Sequence, residues 1–280
     1  MLKVLKSGFF TTIQDMGRFG YRDKGVPISG VMDQVSVKKA NLLLENNVND
    51  AVMEITMTGP KLKFEEKTYI CLSGAHLSPM LNNEAIDNYR VVEVSKGDVL
   101  SFGKLNSGFR SYLAIKGGFK TQKVLNSRSQ YVPVTAEKCL KDGDEIAYDI
   151  IKSYEPAISE LKFEEHFLTD TLEVFKGPEF SMLTDGQLTS LFSKPFTISK
   201  KNNRMAYQLS ELISDHSLSM LTSGTFPGTV QLTPAGRLII LMKDGQTTGG
   251  YPRIMQLSKQ AISVLAQKKS GDSIVFKFID

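Results

Sequence analysis

The chain has 280 residues, of which 41% are hydrophobic and 23% are charged, and these fractions are typical of a folded globular protein. Lysine and arginine outnumber aspartate and glutamate by 34 to 30, and the resulting charge of +4 is too small to favour nucleic-acid binding. We find no apolar stretch of transmembrane length and no signal-peptide pattern, so we expect no membrane partner. Cys71 and Cys139 predict free thiols in a reducing cytoplasm, which is the compartment we expect.

Residues 2–13 predict a strand that leads into a long irregular stretch, residues 11–33, which we name the first signature segment. Its four glycines and one proline exclude a regular helix or a long strand. It also carries residues that can form hydrogen bonds and ion pairs: Gln14, Asp15, Arg18, Tyr21, Arg22 and Asp33. Loops of this length in compact domains are often functional, so a binding loop is favoured over a solvated linker.

A helix is predicted next, because Val37, Ala40 and Leu44 fall at helical spacing and Ser36 is a suitable N-cap. Residues 51–102 predict short strands that are separated by turns. A further strand is predicted at residues 112–115. Arg110 before it and Arg128 after it are candidate anion contacts, although surface ion pairs are the commoner role for arginine.

A short pattern recurs three times: Gly-Asp, any residue, an aliphatic residue, any residue and an aromatic residue. Gly-Asp favours a turn, and the aliphatic and aromatic residues that follow would face one side of a strand. The three aspartates are therefore predicted to form turns rather than to catalyse. The copies begin at Gly97, Gly143 and Gly271.

The charged stretch 150–168 contains Pro156 and predicts a boundary between two domains, residues 1–158 and 159–280. The second half predicts further strands, a short helix within residues 180–192 and another helix from Ser258 to Gln267. Arg204 lies between two of these strands and is another candidate anion contact.

Residues 225–253, which we name the second signature segment, place a short aliphatic strand between two glycine-rich polar runs. Paired glycines let a backbone approach a ligand closely, and the polar side chains can bind a polar or anionic small molecule. Two ordinary hairpin turns are the alternative interpretation. The candidate residues of this segment are Gln231, Asp244, Gln246, Thr248, Gly249, Gly250 and Tyr251.

Several common catalytic motifs do not occur in the sequence: the phosphate-binding P-loop, the dinucleotide fingerprint and the nucleophile elbow. The three histidines are far apart and have no metal-ligand spacing, so we predict no metal site. The residues around Lys243 resemble only weakly the hairpin that carries biotin, so Lys243 is predicted to end a strand.

TTIQDMGRFGYRDKGVPISGVMD in the first signature segment and FPGTVQLTPAGRLIILMKDGQTTGGYPRI in the second resemble the KipA-like proteins. These are the C-type subunits of bacterial 5-oxoprolinase, and they are related to the carboxyltransferase domain of urea amidolyase. ANLLLEN, SYLAIKGGF, SRSQY and NNRMAYQL extend the resemblance almost end to end. Two features depart from the family pattern: residues 130–140 lack a glycine-rich insert, and Ala206 stands where glycine is usual.

The resemblance implies a mainly β fold with a few short helices, built as two cyclophilin-like β-barrel domains. It implies a component of an ATP-dependent enzyme that cleaves 5-oxo-L-proline to L-glutamate, with a KipI-like B-type subunit and an A-type subunit as partners. ATP is then the expected cofactor, bound by a component of the complex that the sequence does not identify. One alternative is a biotin-dependent carboxyltransferase that acts on urea or a similar small amide. Another is a regulatory partner of a KipI-like kinase inhibitor.

For the enzyme, we predict catalytic roles for Asp15, Arg18, Gln231, Asp244 and Gln246, with Asp15 or Asp244 as the general base. The predicted substrate-binding residues are Gln14, Tyr21, Arg110, Arg128, Arg204, Thr248, Gly249, Gly250 and Tyr251. This prediction requires the two signature segments to meet in one cation-lined cleft.

Overall fold

The computed structural model describes residues 1–162, 165–214, 216, 218 and 220–279. The chain forms two compact units. The first comprises Met1–Arg18 and Ser29–Glu165, and the second comprises Phe19–Ile28 and His166–Asp280. The predicted domain boundary between residues 158 and 159 thus lies a few residues before the chain leaves the first unit for the last time. Because the second unit also includes Phe19–Ile28, the first signature segment is divided between the two units.

The first unit contains two antiparallel sheets, whose strand orders are β11-β1-β4-β9-β6-β7 and β2-β3-β10-β5-β8. The eleven strands of this unit are β1 (Leu2–Lys6), β2 (Phe10–Gln14), β3 (Val52–Thr56), β4 (Lys61–Phe64), β5 (Thr68–His76), β6 (Pro79–Leu81), β7 (Glu84–Ala85), β8 (Val91–Val94), β9 (Val99–Phe102), β10 (Ser107–Ile115) and β11 (Glu145–Ile146). Apolar side chains of both sheets form one core, which includes Leu2, Ile13 and Leu113.

Helix α1 (Gln34–Leu43) packs with Val37, Ala40 and Leu43 on a second apolar cluster of this unit. The helix was predicted, but its N-cap is Asp33 and not Ser36 as the sequence suggested. The Asp33 carboxylate accepts hydrogen bonds from Ser36 N at 3.0 Å and from Ser36 Oγ at 2.7 Å. A carboxylate three residues earlier satisfies a free N–H group of the first helical turn, so the helix begins earlier than predicted.

The second unit contains a closed barrel of seven strands in the order β12-β19-β16-β17-β14-β13-β20, and a separate two-stranded sheet of β15 and β18. These strands are β12 (Thr171–Lys176), β13 (Phe196–Asn202), β14 (Ala206–Leu212), β15 (Ser223–Gly224), β16 (Thr229–Leu232), β17 (Arg237–Leu241), β18 (Thr248–Gly249), β19 (Arg253–Leu257) and β20 (Ser273–Phe278). Alternate residues such as Phe196, Tyr207 and Ile240 are fully buried, as expected for a filled barrel interior. The mainly β fold class is therefore confirmed.

Two α-helices lie in the described part of this unit, α2 (Asp185–Phe192) and α3 (Lys259–Ala266), together with short 3-10 helices at Arg22–Lys24 and Phe180–Met182. The predicted helix within residues 180–192 is thus a 3-10 turn followed by α2. Thr184 caps α2 in a capping box with Gln187. The described residues contain no helix with both the length and the apolar character that a membrane span needs.

The three Gly-Asp repeats form the same turn, so their predicted role is confirmed. In each, the aspartate carboxylate accepts a hydrogen bond from the backbone N–H three residues earlier, and a strand follows. The bonds are Ser95 N to Asp98 at 2.7 Å, Lys141 N to Asp144 at 2.8 Å and Lys269 N to Asp272 at 2.9 Å.

Strand β13 carries an irregularity that matters for the site. Ile198 pairs with Leu209 of β14, and the next pair is Asn202 with Tyr207. Three residues of β13 therefore stand opposite one residue of β14. Such a bulge bends the strand and redirects the side chains that it carries.

Candidate functional site

A cavity of about 410 Å³ opens on the outer face of the second-unit barrel, beside the bulge of β13. Its lining combines amide and lysine side chains with a small aliphatic floor. The lining residues are Lys200, Lys201, Asn202, Asn203, Met205, Ala206, Gln208, Gln231, Ile239, Leu241, Gln246 and Tyr251. Three of them, Gln231, Gln246 and Tyr251, are predicted site residues of the second signature segment.

The floor of the cavity follows from the register of three neighbouring strands. Gln208 of β14 pairs with Ile239 of β17, and Ile239 pairs in turn with Gln231 of β16. These three residues form one row across the sheet, so their side chains lie on the same face. The neighbouring residues Tyr207 and Ile240 alternate to the barrel interior and are fully buried. An aliphatic platform flanked by two amides is suited to a small polar molecule.

Gly249 lies directly against the amides of the second signature segment. A Cβ atom at this position would come within 2.5 Å of Gln231 Nε2 and 3.1 Å of Gln246 Nε2. Glycine therefore permits a close approach of the backbone to these two amides, and a larger residue would displace them. Thr248 precedes it on β18, and Gly250 follows it at an exposed position. The predicted Gln231, Gln246 and Gly249 are thus brought together.

Arg22 braces the two loops that carry these residues. Its Nη2 donates to Thr225 O and to Thr247 O, and its guanidinium stacks on the Phe226 ring with 4.8 Å to the centroid. Burial lowers the pKa of Arg22. Arg22 was not among the predicted site residues, although its position in the first signature segment was a usable signal. The predicted Tyr21 immediately precedes it and is half-buried.

Arg204 and Asp244 form a two-pronged ion pair next to the cavity. Arg204 Nε lies 2.8 Å from Asp244 Oδ2, and Nη2 lies 3.2 Å from Oδ1. The two side chains are 7% and 12% exposed, and neither residue is among those that line the cavity. Since the carboxylate is already engaged by a guanidinium, this geometry favours a positioning role for Asp244 over that of a general base.

A second such pair supports the strand that ends the second signature segment. Arg253 Nε and Nη2 donate to Glu179 at 2.9 and 2.7 Å, and Arg253 Nη1 donates to Gly224 O at 2.7 Å. Hydrogen bonds from Arg253 lower the pKa of Glu179, and the same carboxylate raises the pKa of Arg253. This pair therefore ties β19 to the short sheet in which Gly249 lies.

In the first unit, Asp15 organises the loop that it begins. One carboxylate oxygen accepts hydrogen bonds from Gly17 N at 2.9 Å, Ser127 Oγ at 2.7 Å and Ser129 Oγ at 2.7 Å. The other oxygen accepts one from Arg128 N at 2.7 Å. The side chain is only 7% exposed. With four donors bound, Asp15 is suited to hold two loops together, and this arrangement gives less support to its predicted role as a base.

The other predicted residues of the first unit are also engaged within the protein. Arg18 is fully buried and donates to Ser129 O at 2.7 Å and to Val124 O at 3.3 Å, so its described contacts are to backbone carbonyls. The predicted Arg128 contributes its backbone N–H to Asp15, and its side chain is half-buried. The remaining two follow the same pattern: Gln14 Nε2 donates to Gln130 O at 3.2 Å, and Arg110 Nε lies 3.8 Å from Glu54 Oε1.

The predicted site residues thus form two groups, one in each unit. Asp15, Arg18 and the Ser127–Ser129 motif belong to the first unit, and the cavity residues belong to the second. Their convergence into one cleft stays a prediction. Sequence reasoning missed part of the cavity, because these residues lie outside both signature segments and the bulge that directs them leaves no sequence pattern. The missed residues are Lys200, Lys201, Asn202, Asn203 and Gln208.

Comparison with known proteins places this geometry in context. A family model described as the carboxyltransferase domain, subdomain A and B, matches residues 24–278. The chain is 32% identical to the C-type subunit of 5-oxoprolinase from Escherichia coli over 282 residues, covering 99% of this chain and 90% of that protein. It is 31% identical to the corresponding 5-oxoprolinase subunit of Haemophilus influenzae over 288 residues, covering 100% and 91%.

Among solved structures, the urea amidolyase of K. lactis superimposes with a TM-score of 0.88 at 28% identity. The match covers 100% of this chain but only 19% of that chain. The fold is therefore shared with one region of a much larger enzyme, while the two 5-oxoprolinase subunits match over nearly their whole length.

Proposed function

Because the chain belongs to the carboxyltransferase domain, subdomain A and B, family, we propose that it is one component of an ATP-dependent 5-oxoprolinase. The complex would open 5-oxo-L-proline to L-glutamate. The observation that carries this proposal is the near full-length similarity to two proteins that are named as the C-type subunit of 5-oxoprolinase. Since those relatives are named as subunits, we also propose that this chain acts with a KipI-like B-type subunit and an A-type subunit.

The cavity supplies groups that such a reaction needs. Opening a cyclic amide places negative charge on the amide oxygen, and preorganised hydrogen-bond donors stabilise that charge. Gln231 and Gln246 place two amide groups beside the Gly249 backbone, and both line the cavity. We assign them to binding and polarising the substrate amide. Asp15, Arg204 and Asp244 would act through the loops that they position.

ATP fits this cavity less well than a small acid does. A volume of about 410 Å³ lies near the lower end of the range for ligand sites. Nucleotide phosphates are commonly held by a helix N-terminus, and the described lining residues all come from strands and loops. We therefore propose that ATP binds elsewhere in the complex, so that this chain supplies the part that holds the cyclic amide.

The test is reconstitution. The chain is co-purified with the products of its neighbouring genes, and glutamate release from 5-oxo-L-proline is measured with and without ATP. We expect release that requires ATP and all subunits, and we expect Arg18→Ala in the complex to abolish it. No ATP-dependent release from a complete, stoichiometric complex would refute the proposed function. Because Arg18 donates to backbone carbonyls, unchanged turnover with Arg18→Ala would show only that this attachment of the first signature segment is not needed for activity.

A biotin-dependent carboxyltransferase that acts on urea or a similar amide is the second candidate, because of the likeness to the K. lactis urea amidolyase. Biotin would then arrive on a separate carrier. Avidin added to the reconstituted system distinguishes the two, since it blocks a biotin-dependent reaction and leaves a 5-oxoprolinase unchanged.

A further inference from the structure

Two adjacent lysines, Lys200 and Lys201, line the same cavity. On a regular strand, successive side chains point to opposite faces of the sheet, so two neighbours cannot both face one cavity. The bulge of β13 removes this restriction, because the residues between Ile198 and Asn202 lie outside the regular pairing with β14. Bulges are frequent beside active sites, where they redirect a side chain.

These lysines give the cavity a positive rim. Neither forms an ion pair within the described chain, and the residues lining the cavity include no aspartate or glutamate. Both lysines are exposed, so they bring positive charge to the rim of a cavity whose lining residues include no carboxylate, and an anionic ligand would complement that charge.

The floor of the cavity also constrains the shape of a ligand. Adjacent strands lie about 4.8 Å apart, so Gln208 and Gln231 flank Ile239 with roughly 10 Å between their backbones. A planar five-membered ring that rests on Ile239 would place its edges within reach of both amides. Gln231 Nε2 makes one long contact, 3.4 Å to Tyr251 O, and the Gln208 side chain has no hydrogen-bond partner among the described residues. Each amide offers a donor and an acceptor, which matches an amide edge.

We propose that this cavity binds a small planar amide that also carries a carboxylate. Gln231 and Gln246 donate to the amide carbonyl, as assigned above, Gln208 accepts from the ring N–H on the other side of Ile239, and Lys200 and Lys201 hold the carboxylate. This inference rests on the proposed function, and it deepens that function by assigning recognition of the substrate carboxylate to the bulge of β13. The cyclic amide acid 5-oxo-L-proline is the corresponding probe.

The test is calorimetric titration of the full chain with three compounds. 5-Oxo-L-proline has both features, 2-pyrrolidinone lacks the carboxylate, and L-proline lacks the ring carbonyl. We expect 5-oxo-L-proline to bind tightest. The double variant Lys200→Gln with Lys201→Gln should weaken the binding of 5-oxo-L-proline about tenfold at low salt, where charges at a rim are least screened. The binding of 2-pyrrolidinone should not change, because this compound has no carboxylate. Gln208→Leu should weaken the binding of both compounds.

A control variant carries the same change of charge outside the cavity, Lys259→Gln with Lys277→Gln, and should bind 5-oxo-L-proline within about twofold of the original chain. The inference is overturned if Lys200→Gln with Lys201→Gln binds it equally well, or if the unaltered chain shows no saturable binding. It is also overturned if L-proline binds as tightly as 5-oxo-L-proline.

Lysine-dependent binding by a chain whose complex releases no glutamate would support this inference and refute the proposed function. Turnover by the complex with an unchanged KM for 5-oxo-L-proline in the lysine variant would refute this inference and support the proposed function.

Discussion

Asp15 offers the sharpest test of how the first signature segment is held. Replacing it by alanine removes the acceptor for four hydrogen bonds, from Gly17 N, Arg128 N and two serine hydroxyls. The hydroxyls can rotate toward other acceptors, but the two backbone N–H groups cannot. A hydrogen bond to a charged group is worth about 1.5–3 kcal/mol, so we expect a loss of about 3–6 kcal/mol in the free energy of unfolding.

A second variant, Asp15→Asn, removes only part of these hydrogen bonds, so its stability can be compared with that of Asp15→Ala. It keeps one carboxamide oxygen, which can still accept from Gly17 N and the two serines. It turns an NH₂ group toward Arg128 N, so a single acceptor is lost and the expected cost is about 2 kcal/mol. The predicted order of stability is therefore the original chain, then Asp15→Asn, then Asp15→Ala.

The assay is urea-induced unfolding of the full chain, followed by circular dichroism, with amide hydrogen exchange to locate the change. Exchange should accelerate at Arg128 in both variants, and at Gly17 only in Asp15→Ala. The control is Asp142→Ala, which removes an exposed carboxylate whose hydrogen bonds come from Ser7, among them one from Ser7 N at 2.8 Å, and which should cost much less. A loss below about 1 kcal/mol for Asp15→Ala, or one equal to that of the control, would refute the assigned role.

Three further predictions concern the second unit. Hydrogen bonds from Arg253 lower the pKa of Glu179 in the folded chain, so this pair stabilises the fold fully above about pH 5 and loses its effect as the pH falls through that lowered pKa. The stability gap between the original chain and Glu179→Gln, measured by thermal unfolding, should shrink on acidification, and a constant gap would contradict this. Asp244→Asn should lower the free energy of unfolding by about 3 kcal/mol, because a buried guanidinium loses its carboxylate, and urea unfolding should detect this; a change below about 1 kcal/mol would argue against it. Gly249→Ala should displace the Gln231 amide, which is the free end of a side chain. It should therefore lower kcat/KM of the complex about tenfold or more, while the melting temperature stays nearly unchanged. An equal kcat/KM would remove that amide from the site.

The features that were predictable from the sequence are those that depend on nearby residues. The Gly-Asp repeats were interpretable because turn and strand follow one another, and all three form the same hydrogen-bonded turn. The helix predicted from Ser258 to Gln267 agrees with α3 (Lys259–Ala266) within one residue at each end, and Ser258 Oγ caps it by accepting from Ala261 N. The N-cap of α1 was missed because two suitable residues, Asp33 and Ser36, lie three positions apart and in fact bond to each other.

The roles of the polar residues were less predictable, because they depend on contacts between distant parts of the chain. Asp15 looked like a base because a short motif shows which groups are present and not which are already bound. Its partners Ser127 and Ser129 follow more than 100 residues later, and only the fold brings them together. The same holds for Asp244, whose charge is matched by Arg204. Sequence patterns marked the polar, glycine-rich segments, but they did not distinguish side chains that line the cavity from side chains that hold the segments in place.

The division of the first signature segment explains why so many of its residues are polar. Arg18 ends the part that belongs to the first unit, and the next ten residues belong to the second. Each part needs its own attachment: Asp15 and Arg18 bind backbone and hydroxyl groups of residues 124–129, and Arg22 binds the carbonyls of Thr225 and Thr247. After β2, the segment has scattered backbone hydrogen bonds, such as Val31 N to Asp15 O at 2.9 Å, instead of a continuous ladder, so these charged side chains supply much of its attachment. Their number therefore reflects how firmly the segment must be held, and the groups left to contact a ligand are the amides and lysines of the cavity.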